Sequence, residues 1–81
     1  MIWKVPLVLS PQPEGGFTVT SPLLPELITE GDSVDEALAN VRDALAAVVE
    51  IYQDTGRELP SGIEQQTDDG PVSLETLVAT P

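Results

Sequence analysis

The residue types able to do chemistry are few in this chain. Carboxylates gather at Asp32, Asp35 and Glu36, and again at Asp68-Asp69-Gly70. Two-metal phosphoryl transfer needs several carboxylates converging on ions about 4 Å apart. The first apolar segment, residues 2–9, supplies none. Asp32, Ser33 and Glu36 have a nearer explanation. Ser33-Val34-Asp35-Glu36 has the form of a capping box, in which Ser33 accepts from the Glu36 N–H and the Glu36 side chain returns to the Ser33 N–H. Asp35 and Glu36 also stand where the helix dipole favours negative charge. Asp32, Ser33 and Glu36 are therefore read as helix-capping residues. Asp68-Asp69-Gly70 lacks the alternating ligands and distal glutamate of a calcium loop and reads as a turn.

Histidine and cysteine are absent, so there is no imidazole base, no thiolate site and no disulfide. Ser10, Ser21, Ser33, Ser61 and Ser73 have no histidine to activate them. Lys4 as a base would need a buried pocket. Tyr52 lies on the apolar stripe of a helix and reads as core or core edge rather than as a proton donor. No catalytic, metal or cofactor residue is expected.

These residues sit on a simple order of elements. Residues 2–9 read as a first strand whose apolar face holds Trp3, Val5, Leu7 and Leu9. Trp3 is read as core rather than interface. Pro6 conflicts with a central strand position, because it has no N–H to give the ladder. Ser10 to Gly16 is a turn rich in proline and glycine, and Phe17-Thr18-Val19-Thr20 alternates as a half-buried strand does. Together they predict a β-hairpin. Residues 21–26 contain Pro22 and Pro25 and are expected to be irregular, with Leu27 to Glu30 a short third strand and Gly31-Asp32 a turn.

The helix is expected from about Val34 to about Thr55. Val34, Leu38, Val41, Leu45, Val48 and Tyr52 recur at spacings of three and four, and Ala37 and Ala44 widen the stripe. Gly56 suits the left-handed residue that closes a helix. Residues 61–71 read as a loop, and Val72 to Val78 as a possible last strand.

The 81 residues allow one domain, expected over 1–81, with a thin core that makes homo-oligomers, dimer or higher, an expectation. Fourteen acidic against three basic residues give a net charge of -11. That balance lacks the basic footprint of a nucleic-acid binder, so direct DNA or RNA binding is not expected. It suits a basic protein partner, although solubility alone also explains it. No apolar run approaches the ~20 residues of a membrane span, and no secretory signal is visible, so a cytoplasmic protein is expected.

The ordered set Gly15-Gly16-Phe17-Thr18-Val19, Pro22-Leu23-Leu24-Pro25, Thr29-Glu30-Gly31-Asp32-Ser33 and Glu36-Ala37-Leu38-Ala39-Asn40 resembles the HicB family of antitoxins. Val41 to Glu50, Gly56 and Leu59-Pro60 continue the likeness, which spans about residues 2 to 60. The chain departs from the family pattern at Pro25-Glu26, where Pro-Gly is usual. The resemblance implies an α+β fold: a small antiparallel-rich β-β-β-α-β sheet, partial RNase H-like, with one long helix on one face. It also implies a partner, the small basic HicA-type mRNA-cleaving toxin, silenced by being covered. An orphan domain of the same fold with a structural or regulatory binding role is the alternative. Many HicB proteins carry a second, DNA-binding domain. Residues 61–81 hold no basic residue and no helix-turn-helix pattern, so operator binding is not carried over. The toxin-contact residues are not read from the sequence. The uncovered sheet face and the sheet edge are where docking or dimerisation is expected.

Overall fold

The computed structural model describes residues 2–66 and 70–76, and side chains for all of these except 64–66. Its elements in chain order are β1 (Ile2–Lys4), β2 (Val8–Pro11), β3 (Phe17–Thr20), β4 (Ile28–Gly31), α1 (Val34–Asp54) and β5 (Glu64–Gln66). β2, β3 and β4 form an antiparallel sheet in that order, and β1 pairs antiparallel with β5 in a separate two-stranded ladder. The architecture is α+β, with one long helix laid on the three-stranded sheet.

The expected first strand is split in two. Residues 5–7 leave the ladder around Pro6, and β1 and β2 pair with different partners. The proline conflict is thus resolved by a break, because Pro6 has no N–H to donate to a ladder. The loop expected over 61–71 is corrected in part, since it contains β5. Gln65 sits opposite Trp3 and Glu64 opposite Lys4. The possible last strand over Val72 to Val78 is not a strand through residue 76, and Leu77 and Val78 lie outside the described residues. The third strand starts one residue later than expected and takes in Gly31.

The hairpin follows its sequence signals. Gly15 and Gly16 both have positive φ, and the Gln12 N–H donates to the Gly16 carbonyl at 3.0 Å. Leu9 faces Val19 and Thr29 across the sheet, and this row points toward the helix. The opposite face carries Val8, Thr20 and Ile28 in one row and Ser10, Thr18 and Glu30 in the next.

α1 begins where the capping signal lies. Ser33 is extended, and its Oγ accepts from the Glu36 N–H at 3.1 Å. Only this half of the box forms among the described residues; no return bond runs from the Ser33 N–H to the Glu36 carboxylate. At the other end Gly56 has φ +69°. The Gly56 N–H donates to Gln53 O at 3.2 Å and the Arg57 N–H to Tyr52 O at 2.9 Å. This pair of bonds is a Schellman closure, which needs the left-handed residue that glycine supplies without a Cβ penalty.

The helix buries Ala37, Val41, Val48 and Tyr52. Leu38, expected on the stripe, is left 37% exposed at its edge. The core divides into two clusters. One gathers Val19, Ala37 and Val41, with Leu7, Leu9 and Phe17 packed against it. The other gathers Leu24, Leu27, Val48, Tyr52 and Ile63, flanked by Trp3, Val5, Leu23, Leu45 and Leu59. Leu24, Leu27 and Val19 are wholly buried, each worth about 1.5–3 kcal/mol of transfer free energy.

Candidate interaction surfaces

Gly31 sets how closely the helix approaches the sheet. A Cβ at this position would collide with the Ala37 backbone N and stand 2.6 Å from the Ala37 Cα. Real carbon pairs do not come this close, so only glycine lets the first turns of α1 rest on β4. Asn40, one turn further on, donates from Nδ2 to the Glu30 carbonyl at 2.7 Å. The Gln12 N–H to Gly16 carbonyl bond sets the alternation of the paired ladders, and in that alternation this carbonyl points away from β3. In an antiparallel ladder such outward groups alternate with inward ones. Ile28 and Glu30 therefore present their backbone groups at the β4 edge, and Asn40 covers one of them.

The same alternation fixes the other edge. The Gln12 to Gly16 bond continues the inward series Val8, Ser10, Gln12. Leu9 and Pro11 then present their backbone groups outward at the β2 edge. Pro11 lacks an N–H, which is tolerated at such an edge position. Among the described residues, no other strand pairs with this edge.

Beside it lies an open groove of about 990 Å³. Trp3, Val5, Pro6, Leu7, Leu9 and Leu38 are among the residues that line it, together with Val72–Thr76. Trp3 is half-buried against the second cluster, as expected of a core residue, and it also borders the groove.

The sequence reading missed a third feature. Tyr52 Oη donates to Glu26 Oε2 at 3.1 Å, and Arg57 Nη1 pairs with Glu26 Oε1 at 3.2 Å. The Arg57 guanidinium also lies 4.2 Å from the centroid of the Tyr52 ring. This cluster ties the irregular segment before β4 to the end of α1. The Glu26 carboxyl is held below its ordinary pKa, first by its own backbone N–H; desolvation, the next influence, opposes this, and the Tyr52 and Arg57 contacts add to the lowering. Burial raises the Tyr52 phenol above its ordinary value, and the Glu26 charge adds to the rise. The available signal was the departure from Pro-Gly at Glu26, together with the scarcity of cations that makes Arg57 conspicuous.

The three residues read as capping are placed in different ways. Ser33 caps, Glu36 offers its backbone N–H, and Asp32 is exposed in the bend before the helix. Among the described residues, no three His, Cys, Asp or Glu side chains stand close enough to hold a metal ion. No described helix is long and apolar enough to cross a membrane. The outward face of α1 carries Asp35, Glu36, Asp43, Glu50 and Asp54, all exposed, with Arg42 the one exposed cation among them.

Comparison with known proteins bears on the same residues. Residues 5–80 match the model of a HicB-like antitoxin of bacterial toxin-antitoxin systems. The chain is 36% identical over 77 residues to antitoxin HicB 1 of Photorhabdus laumondii subsp. laumondii, covering 93% of this chain and 50% of that protein. It is 35% identical over 57 residues to antitoxin HicB of Escherichia coli K12, covering 70% of this chain and 41% of that one. Antitoxin HicB 2 of Photorhabdus laumondii is 42% identical over 48 residues, or 59% of this chain and 34% of the relative. The chain thus spans half the length, or less, of these curated relatives. The match extends past the residue-60 limit of the sequence likeness and takes in β5 and the chain beyond it to residue 80. The chain belongs to the HicB-like antitoxin family of bacterial toxin-antitoxin systems.

Proposed function

We propose that this chain acts as an antitoxin: it binds a small basic mRNA-cleaving toxin of the HicA type and neutralises it by covering its RNA-binding face. The family match over residues 5–80 is the observation that carries this reading. The net charge of -11 supports the mechanism, because a basic RNA-binding surface is attracted to an acidic domain that then keeps phosphates away. The exposed carboxylates of α1 give that charge a broad, rigid face.

The chain supplies no chemistry of its own in this account. Histidine is absent, and β1 and β2 carry no carboxylate. Long-range attraction accelerates association, and salt slows it by screening. Apolar packing then holds the complex, so dissociation responds less to salt. Contacts to DNA phosphates, where they occur, come from a basic partner rather than from this chain.

Co-expression tests the proposal. The protein encoded beside this chain should arrest growth when produced alone, and this chain should restore growth. Absence of both rescue and complex would overturn the antitoxin reading. Stopped-flow association at low and high salt tests the electrostatic part: a rate indifferent to salt would remove it while leaving neutralisation intact.

A further inference from the structure

The apolar alternation over Val72 to Thr76 serves neither the fold nor the function proposed above. Val72, Leu74 and Thr76 share one parity, with Ser73 and Glu75 between them. Yet residues 70–76 are exposed, and none forms a backbone hydrogen bond with another described residue. Leu74 is 71% exposed and Val72 38%. The same segment borders the groove beside β2, where Trp3, Leu7, Leu9 and Leu38 supply apolar surface. At that edge the outward N–H and carbonyl of Leu9 are paired with no described strand. A strand-like segment without a partner thus lies beside an edge without a partner.

We infer that residues 71–76 are a strap that closes this groove, adding itself to the β2 edge as a strand of the same molecule. Position, length and pattern choose this occupant. The segment already lines the groove. Six extended residues span about 20 Å, more than the four residues of β2 need. An added strand sends alternate side chains to the two faces of a sheet. Residues 2–9 alternate in that way: Trp3, Val5, Leu7 and Leu9 are half-buried, while Lys4 and Val8 are exposed. Val72 and Leu74 then join the half-buried set beside Leu38, and Glu75 falls on the exposed side with Lys4. Lys4 is the one charged residue among 2–13 and Glu75 the one among 71–76, so each faces its opposite. Pro71 stands at the start of the strap, where a strand tolerates a missing N–H.

Closure gives the edge to the chain's own segment. An open edge beside apolar surface is a template for any passing strand. A strap in the same molecule holds that edge at an effective concentration that a separate peptide in dilute solution does not reach. The ladder it can form is short, because Pro11 offers no N–H and Leu9 is the one residue of β2 that presents both outward groups. The strap is therefore a reversible cover, and a strand that comes to β2 from outside has to displace it.

Amide hydrogen exchange of the purified chain, read at Leu9 by NMR over a range of concentrations, tests the strap. Closure for about nine-tenths of the time slows exchange about tenfold. That slowing should appear in the wild type and in Ser73→Gln, which alters the other face of the strap, and should be lost in Leu74→Gln. The helical circular dichroism signal should be the same in all three, because residues 73 and 74 are exposed. Trp3, the single tryptophan, gives a second reading: acrylamide should quench its fluorescence more strongly in Leu74→Gln than in the wild type. A Leu9 amide that exchanges at the unprotected rate in the wild type overturns the proposal. Protection that persists in Leu74→Gln overturns it, as does equal loss in Ser73→Gln. Protection that fades on dilution assigns the edge to another molecule and likewise overturns it.

Discussion

The two apolar clusters use similar residues and are held together differently. Around Val19, Ala37 and Val41 the backbone sets the packing: Gly31 admits the helix, Ser33 starts it, and Asn40 ties it to β4. Around Leu24, Leu27, Val48, Tyr52 and Ile63 the wall is made by irregular chain on both sides of α1. Here side chains make the ties, through Glu26, Tyr52 and Arg57. The lesson is that one helix can be fixed at its start by close backbone approach and at its end by what loops bring to it.

The two ends can be broken separately. Leu24→Ala should have the largest effect, because it empties a wholly buried site in a wall made of loop: about 2–5 kcal/mol. A urea melt measures the loss, and amide exchange should accelerate first from Val48 to Tyr52. Gly31→Ala should come next, at about 1–3 kcal/mol or more, since a Cβ meets the Ala37 backbone rather than a side chain that can turn away. Its exchange signature should be the reverse, fastest around Ala37 to Val41. If both substitutions loosen the whole helix equally, the two clusters are one unit.

Ser33→Ala should cost about 0.5–2 kcal/mol by removing the one cap bond that forms. An unchanged urea midpoint would show that the bond contributes nothing. The smallest effect concerns the Glu26 cluster, since exposed ion pairs contribute little. The Glu26 carboxyl is lowered, so its contribution is present above the ordinary value of 4.5 and is lost as pH falls through the lowered value. The Tyr52 phenol is raised, so its contribution is present below 10.0 and is lost as pH rises through the raised value. Tyr52→Phe should flatten the alkaline limb of a stability profile, and Glu26→Gln should weaken both limbs. Profiles that superimpose on the wild type would remove the cluster from the account.

Much of the first cluster was legible in the sequence. The hairpin turn, the Ser33 cap and the Gly56 closure are local signals, each set by residues within a few positions of one another. The helix stripe was legible too, except for Leu38, whose exposure depends on the groove beside it. The second cluster was not, because its members are separated in sequence and joined only by the fold. Leu24 and Leu27 looked like part of a proline-rich connection and a strand start, yet both are wholly buried in loop. β5 was hidden for a similar reason. Glu64-Gln65-Gln66 has no apolar alternation, and its partner β1 is the short part of the expected first strand that precedes the Pro6 break.

The central claim is that this chain silences a ribonuclease by covering it, and cleavage of RNA by the purified neighbour-encoded protein tests it most directly. Cleavage should be prompt with that protein alone and suppressed when this chain is added in stoichiometric amount. This chain alone, with magnesium or manganese, should cleave nothing. Undiminished cleavage in the presence of excess chain, or cleavage by the chain itself that survives repurification, would contradict the account.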